Sequence, residues 1–457
     1  MKRFPEGFLW GSSTNAQQFE GGRNVDGVGV SIADVREFFL YPGDKERFKH
    51  DACYDDFKVA GDHYHHVDED IDLLGEMGFG IYRFSMSWTR IFPNGDDEEP
   101  NQKGLDFYDK MLTALERNGI SPVCTLYAYD LPQALVDKYG GFLDRRCIDA
   151  YVKYVETVVK YFKGRIKYYV PFNEQDTMVW LPYYTGGVVI EDPTKLFAFA
   201  HNINLAFAKA VEAIHELDPD AKVGGNTCNS CVYPLTCHPD DVAEADSASF
   251  RSYGNAEIYC RGKYPKYYFK QFPGADIDSV IMPGDMEIIK GIDTDFLSLT
   301  YYMSNTASKK GVGDTLIMAG FGANPHLEKT EYGWSIDPYG FYHYLMDFYQ
   351  RFQKPVLILE NGMGTADVLE PDGKVHDDYR IDYFRRHIAK MRDAIEDGVE
   401  MIGYCTWSAF DLYSTHEGFN KRYGFVYIDK NDNHKRYRKD SFFWYKKVIA
   451  SNGEDLD

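Results

Sequence analysis

Short apolar runs rich in β-branched and aromatic residues recur along the chain. They alternate with longer stretches whose apolar residues fall three and four apart. Eight runs stand out: FLWGSS (8–13), IYRFSM (81–86), PVCTLY (122–127), YYVPFN (168–173), KVGGNT (222–227), FLSLTY (296–301), PVLILE (355–360) and MIGYCTW (401–407). Runs of this length predict buried strands. Between them, LDFYDKMLTALERNG (105–119) and IDAYVKYVETVVKYFKG (148–164) carry helical spacing and a closing glycine. Strands alternating with helices imply a parallel sheet. Eight such units predict one (β/α)8 barrel, an α/β fold occupying residues 1–457 as a single domain. No internal repeat or low-complexity linker divides it.

A barrel of this kind carries its chemistry at the C-terminal ends of its strands. Residues at those ends include Gln18, Glu20, Arg83, Trp88, Asp130, Asn173, Glu174, Tyr301, Glu360, Asn361 and Trp407. Two glutamates, in FNEQ and ILENG, face the same mouth from strands four and seven. Paired carboxylates so placed suit glycoside hydrolysis, one as acid/base and one as nucleophile or base.

Composition narrows the partners. Net charge is −21, which disfavours nucleic acid and anionic membranes as partners. Aromatic residues reach 16%, in excess of ordinary core needs, and rings often line sugar clefts. MKRFPEGFLWG lacks the apolar run of a signal peptide, and no stretch approaches a membrane span. The eight scattered cysteines then read as reduced thiols in a cytoplasmic protein. HYHHVDED (63–70) reads as the opening of the helix before strand two rather than a metal site. Cys228, Cys231 and Cys237 lack a clear fourth ligand for zinc. DDEE (96–99) reads as a solvated loop. No cofactor or metal is expected. Trp334 and Tyr302 suit either the leaving-group side of a cleft or core packing.

The motifs together resemble glycoside hydrolase family 1, the β-glucosidase family. The resemblance runs from FPEGFLWGSSTNAQQFEGG (4–22) through YRFSMSWTRIFPNG (82–95), PFNEQ (171–175), LENG (359–362) and TWSAFD (406–411) to SFFWYKKVIASNG (441–453). It implies that Glu174 of the NE motif is the acid/base and Glu360 of the ENG motif the nucleophile of a retaining mechanism. The carboxyls of such enzymes lie about 5–5.5 Å apart. It further implies that Arg83 pairs with the nucleophile and lowers its pKa, and that Tyr301 hydrogen-bonds it. Asn173 would hold the sugar 2-hydroxyl, Gln18 the 3- and 4-hydroxyls, and Trp407 the floor beneath the ring.

The loop after strand eight departs from the common family pattern. Where the family reads roughly WSxxDNFEWxxGY, this chain reads WSAFDLYSTHEGF, with Ser414 and Thr415 replacing a glutamate and a tryptophan. Lys421 and Tyr423 follow. The spacing resembles the 6-phospho-β-glycosidase branch, in which those three positions hold the phosphate of the sugar. A carboxylate beside a phosphate dianion would repel it. A serine removes that repulsion, and lysine and tyrosine add donors. FLSLTYYMS (296–304), GWSIDP (333–338) and HDDYRIDYFRRHI (376–388) also resemble that branch. The resemblance implies a bacterial 6-phospho-β-glucosidase acting on imported sugar phosphates, and small Thr415 mildly favours gluco over galacto.

Other positions depart from the whole family. TLYAYDLP places Ala128 and Tyr129 where it has histidine and tryptophan, and Gln17, Gln175 and Phe142 are also unusual. These surround the 3-hydroxyl edge of the sugar. They leave open a β-glycosidase for a plain or otherwise modified sugar, and a weakly catalytic barrel that binds sugar phosphates. Arg422 reads as structural. The leaving group and the homo-oligomeric state are not legible.

Overall fold

A computed structural model describes residues 3–37, 54–228, 231–311, 322–415 and 417–457. Eight strands, β1 (Leu9–Ser13), β2 (Ile81–Ser85), β3 (Ser121–Thr125), β4 (Tyr168–Val170), β5 (Lys222–Cys228), β6 (Phe296–Tyr301), β7 (Val356–Asn361) and β8 (Met401–Trp407), form the sheet. Each pairs in parallel with its neighbours in chain order, and β1 closes on β8. The predicted (β/α)8 barrel is therefore present, with all eight strands where the apolar runs placed them. β4 stops earlier than expected, because Pro171 has no amide hydrogen to continue the ladder.

The alternation of a strand sorts its residues between two layers. Ile81, Val123, Tyr168, Val170, Phe296, Leu357, Leu359 and Cys405 fill the barrel interior. Their neighbours, such as Tyr82, Phe84, Tyr169, Leu297, Leu299 and Ile358, pack outward against the helices. The helix Gln102–Arg117 lays Leu105, Tyr108, Met111, Leu112 and Leu115 on this outer layer, and Arg146–Tyr161 does the same with Ile148, Tyr151, Val155 and Val158. Tyr445, in the last helix (Asp440–Ala450), donates to the Gly11 carbonyl of β1 at 3.0 Å, tying the C-terminal segment to the first strand.

One irregularity bears on the site. The pairing of β6 with β7 slips by one residue, from Leu299–Ile358 to Thr300–Glu360. The bulge leaves Leu359 without a partner, so Leu359 and Glu360 both turn inward. Bulges re-aim side chains in this way at strand ends. Beyond the barrel, Val426–Asp429 and Lys435–Arg438 form a hairpin after the strand-eight loop. Among the described residues, no helix is long and apolar enough to cross a membrane.

Candidate active site

Arg83 rises from β2 into the barrel mouth and is fully buried. Its Nε donates to Thr125 Oγ1 at 2.8 Å, its Nη1 to Glu360 Oε1 at 2.8 Å, and its Nη2 to Asn173 Oδ1. One guanidinium thus fixes residues from β3, β4 and β7. Each of its three nitrogens donates a hydrogen bond, as a cation in so dry a place requires.

The other Glu360 oxygen accepts from Tyr302 Oη at 2.6 Å. This corrects the expectation for Tyr301. Tyr301 faces outward, packs on Phe341 at 5.1 Å between ring centroids, and donates to the Asp337 carbonyl at 2.8 Å. The cause is strand parity: Phe296 points inward, so 298, 300 and 302 follow it and 301 does not. Asn361, beside Glu360, is held by Tyr301 O, Tyr383 and Tyr404 at 2.8, 3.0 and 2.6 Å.

Glu174 follows β4 in a left-handed conformation (φ 38°). Its amide donates to Asn226 Oδ1 at 2.6 Å, and its Oε2 accepts from Tyr129 Oη at 2.8 Å. The Cys228 thiol is a further partner. Burial raises the pKa of both glutamates. At Glu360, Arg83 and Tyr302 oppose the rise without overcoming it, so burial outweighs the lowering expected from the cation. Glu174 has no cation against it among the described residues. The charge of Glu360 adds to the effect of burial, and Glu174 reaches about 8. Arg83 and Tyr302 oppose the rise at Glu360 and no cation opposes it at Glu174 among the described residues, so a proton shared by the pair is favoured on Glu174.

Gln18 lies under the strand-eight loop. Its Oε1 accepts from Asn15 at 2.6 Å and its Nε2 donates to Tyr413 O at 2.8 Å, which leaves one hydrogen and one lone pair for a ligand. Trp407, at the end of β8, is 6% exposed. Glu20 is held by Tyr108 at 2.7 Å and Arg90 at 3.2 Å, and Trp88 stacks on Tyr154, so both serve the wall. The unusual Gln17 donates to the Ala128 carbonyl at 2.9 Å and Gln175 to Asn204 at 2.6 Å, while Phe142 packs against Phe172 and Tyr151.

Ser414, Lys421 and Tyr423 come together. Backbone hydrogen bonds between Ser414 and Gly418, at 3.1 and 2.9 Å, close the turn. The hydroxyls of Ser414 and Tyr423 are hydrogen-bonded to each other. The Lys421 ammonium lies 3.8 Å from the Trp334 ring centroid, 4.6 Å from Tyr332 and 5.5 Å from Tyr423. Only 3% of Lys421 is exposed, and it makes no ion pair within 4.0 Å among the described residues. Burial pushes its pKa down to about 8, against the pull of Glu417. Rings replace its water, and a desolvated cation with no carboxylate within 4.0 Å among the described residues suits an anionic ligand. Arg422 is structural: its Nη1 donates to Asp411 Oδ2 and the Ile428 carbonyl, each at 3.0 Å.

Sequence reasoning did not assign Tyr302, Tyr129, Tyr332 or Trp334 to these contacts. Strand parity could have found Tyr302. The others arrive from distant segments. His63 Nδ1 donates to Asp70 Oδ2 at 2.8 Å and Asp70 accepts from Arg436, so the histidine-rich stretch is anchored as a helix start. Among the described residues, no three His, Cys, Asp or Glu side chains are grouped to hold a metal ion. In the acidic loop, Asp96 takes Lys138 at 2.6 Å and Tyr139 at 2.9 Å.

Residues 1–454 match the family model described as glycosyl hydrolase family 1. A 6-phospho-β-glucosidase of Clostridium longisporum is 42% identical, with 99% of this chain and 98% of that protein covered. An aryl-phospho-β-D-glucosidase of Bacillus subtilis is 41% identical over 100% of this chain and 99% of its own. Among solved structures, the Thermotoga maritima β-glucosidase in complex with glucoimidazole superposes with a TM-score of 0.87 at 34% identity, covering 99% of this chain and 100% of that one.

Proposed function

The chain belongs to glycosyl hydrolase family 1, and from that premise we propose that it hydrolyses 6-phospho-β-D-glucosides with retention of anomeric configuration. The observation that carries the phosphate is Lys421, a buried ammonium caged by rings, next to the hydroxyls of Ser414 and Tyr423. The names of the Clostridium and Bacillus relatives support the same substrate class.

In the reaction, a Glu360 oxygen attacks the anomeric carbon. Glu174 gives its proton to the departing oxygen, which takes the electron pair of the broken bond. Glu360 is then neutral as an ester, the pKa of Glu174 falls, and Glu174 takes a proton from the water that releases the sugar. Arg83 and Tyr302 hold the nucleophile, and the Asn173 amide faces the 2-hydroxyl. Neither the leaving group nor a cofactor is specified by these residues.

Ala128 favours a second reading, a substrate altered at carbon 3, because the family histidine at that edge is absent. One comparison tests both. Turnover of p-nitrophenyl β-D-glucoside and of its 6-phosphate is measured for wild type and Lys421→Ala. The proposal requires a strong preference for the phosphorylated substrate that the variant loses. Equal rates would overturn it, and failure on both substrates would favour the Ala128 reading.

A further inference from the structure

The family tryptophan is replaced by Tyr129, and the phenol lands on the acid/base. We propose that Tyr129 is a positioning residue for Glu174, and that with Thr177 it forms a hydroxyl relay serving both protonation states of that carboxyl. The inference rests on the reading of Glu174 as acid/base.

The geometry is compact. Tyr129 Oη lies 2.8 Å from Glu174 Oε2 and 2.8 Å from Thr177 Oγ1, and Thr177 Oγ1 donates to the Glu174 carbonyl at 2.7 Å. A phenol has one hydrogen and can also accept. When Glu174 is protonated on the oxygen that faces the leaving group, its Oε2 is a neutral carbonyl oxygen and the phenol shares its hydrogen with Thr177. When Glu174 is ionised, the phenol turns its hydrogen to the carboxylate. The acid can thus become the base by rotation of one hydroxyl hydrogen, without movement of a heavy atom. A phenol buried here keeps its proton throughout.

Tyr129 is held for this task. Its backbone is left-handed, at φ 65°, which a tyrosine adopts only when its surroundings impose it. Arg36 supplies part of that constraint: Nη2 donates to Tyr129 O at 3.2 Å and to Tyr184 O at 2.7 Å, and the guanidinium lies 3.8 Å from the Tyr184 ring centroid. Tyr129 and Tyr184 pack edge to face at 5.5 Å. The other titratable groups acting on Glu174 are Glu360 from β7, Asp176 on the following helix and the Cys228 thiol at the end of β5.

The chemical consequence is selective. In the first step a proton leaves Glu174 for the departing oxygen, and the carboxylate left behind gains the phenol hydrogen bond. That stabilisation appears only as the charge develops, so it matters in proportion to the need for acid assistance. A phenyl leaving group needs it, and a 2,4-dinitrophenyl group does not.

The test compares phenyl and 2,4-dinitrophenyl glycosides of whichever sugar wild type accepts, phosphorylated or not, in Tyr129→Phe, Thr177→Val and Glu174→Gln. Tyr129→Phe is expected to lower kcat/KM for the phenyl substrate about 10-fold and for the dinitrophenyl substrate less than about twofold, and to move the alkaline limb of the phenyl profile up by about one pH unit. Thr177→Val is expected to act in the same direction and more weakly. Equal slowing of both substrates with a fixed limb, or no change, would overturn the proposal and leave Tyr129 a packing residue. Glu174→Gln separates the failures. If it slows both substrates alike, the acid/base reading falls first and takes this inference with it.

Discussion

Gly364 tests the proposed phosphate site without touching a residue that would contact the ligand. A Cβ at this position would lie 2.4 Å from Lys421 Cε, 2.6 Å from Lys421 Cγ and 2.9 Å from Tyr423 Cε1. Its backbone is not left-handed, so alanine is tolerated by the chain and resisted only by those neighbours. Carbons settle at about 3.5–4.0 Å, so the lysine stem must retreat by about 1 Å or more. The ammonium moves with it. A charge-assisted hydrogen bond contributes about 1.5–3 kcal/mol, so losing it corresponds to about 10- to 100-fold. Steady-state kinetics of Gly364→Ala should show that loss in kcat/KM for p-nitrophenyl β-D-glucoside 6-phosphate. The unphosphorylated glucoside should change by less than about threefold. Equal losses on both substrates would refute the reasoning, because they would mean that the alanine disturbs the Glu360 loop rather than Lys421. No loss on either would mean that the lysine stem does not matter to the phosphate.

Other expectations follow from the same geometry. Tyr302→Phe should lower kcat about 10- to 100-fold by removing a hydrogen bond to Glu360, whereas Tyr301→Phe should lower the melting temperature and leave kcat within about threefold; stopped assays and calorimetry on the pair decide it. With the pKa of Glu174 raised to about 8, activity on a substrate that needs acid assistance is present below that value and lost as pH rises through it, which a kcat/KM profile reads directly. Lys439 is buried between Asp367 and Asp411, at 2.6 Å from the latter, so Lys439→Met leaves two carboxylates short of a cation. Urea unfolding should then show a loss of about 3–5 kcal/mol, and a loss below about 1 kcal/mol would contradict the ion-network reading.

The barrel was legible because its signal is periodic. Eight apolar runs recur with helical spacing between them, and local errors such as the end of β4 do not disturb the count. Within the site, Arg83 joins Glu360 and Asn173, and Glu174 lies within electrostatic reach of Glu360. Tyr301 was misassigned although its correction lay in the parity of its own strand. Tyr129 and Trp334 were harder. Each meets its partner across a long separation in the chain, and neither contact leaves a periodic trace. Gly364 illustrates the same limit, since its significance is how closely Lys421 and Tyr423 pack against it, and a sequence does not display packing.

The central claim is a covalent glycosyl intermediate on Glu360, formed from a 6-phosphorylated sugar. Intact-mass and peptide mapping after incubation with 2-deoxy-2-fluoro-β-D-glucosyl fluoride 6-phosphate test it most directly. The account predicts one adduct, on the peptide containing Glu360, which Lys421→Ala fails to form at the same reagent concentration. An adduct on another residue, no adduct, or equal labelling by the unphosphorylated reagent would contradict it.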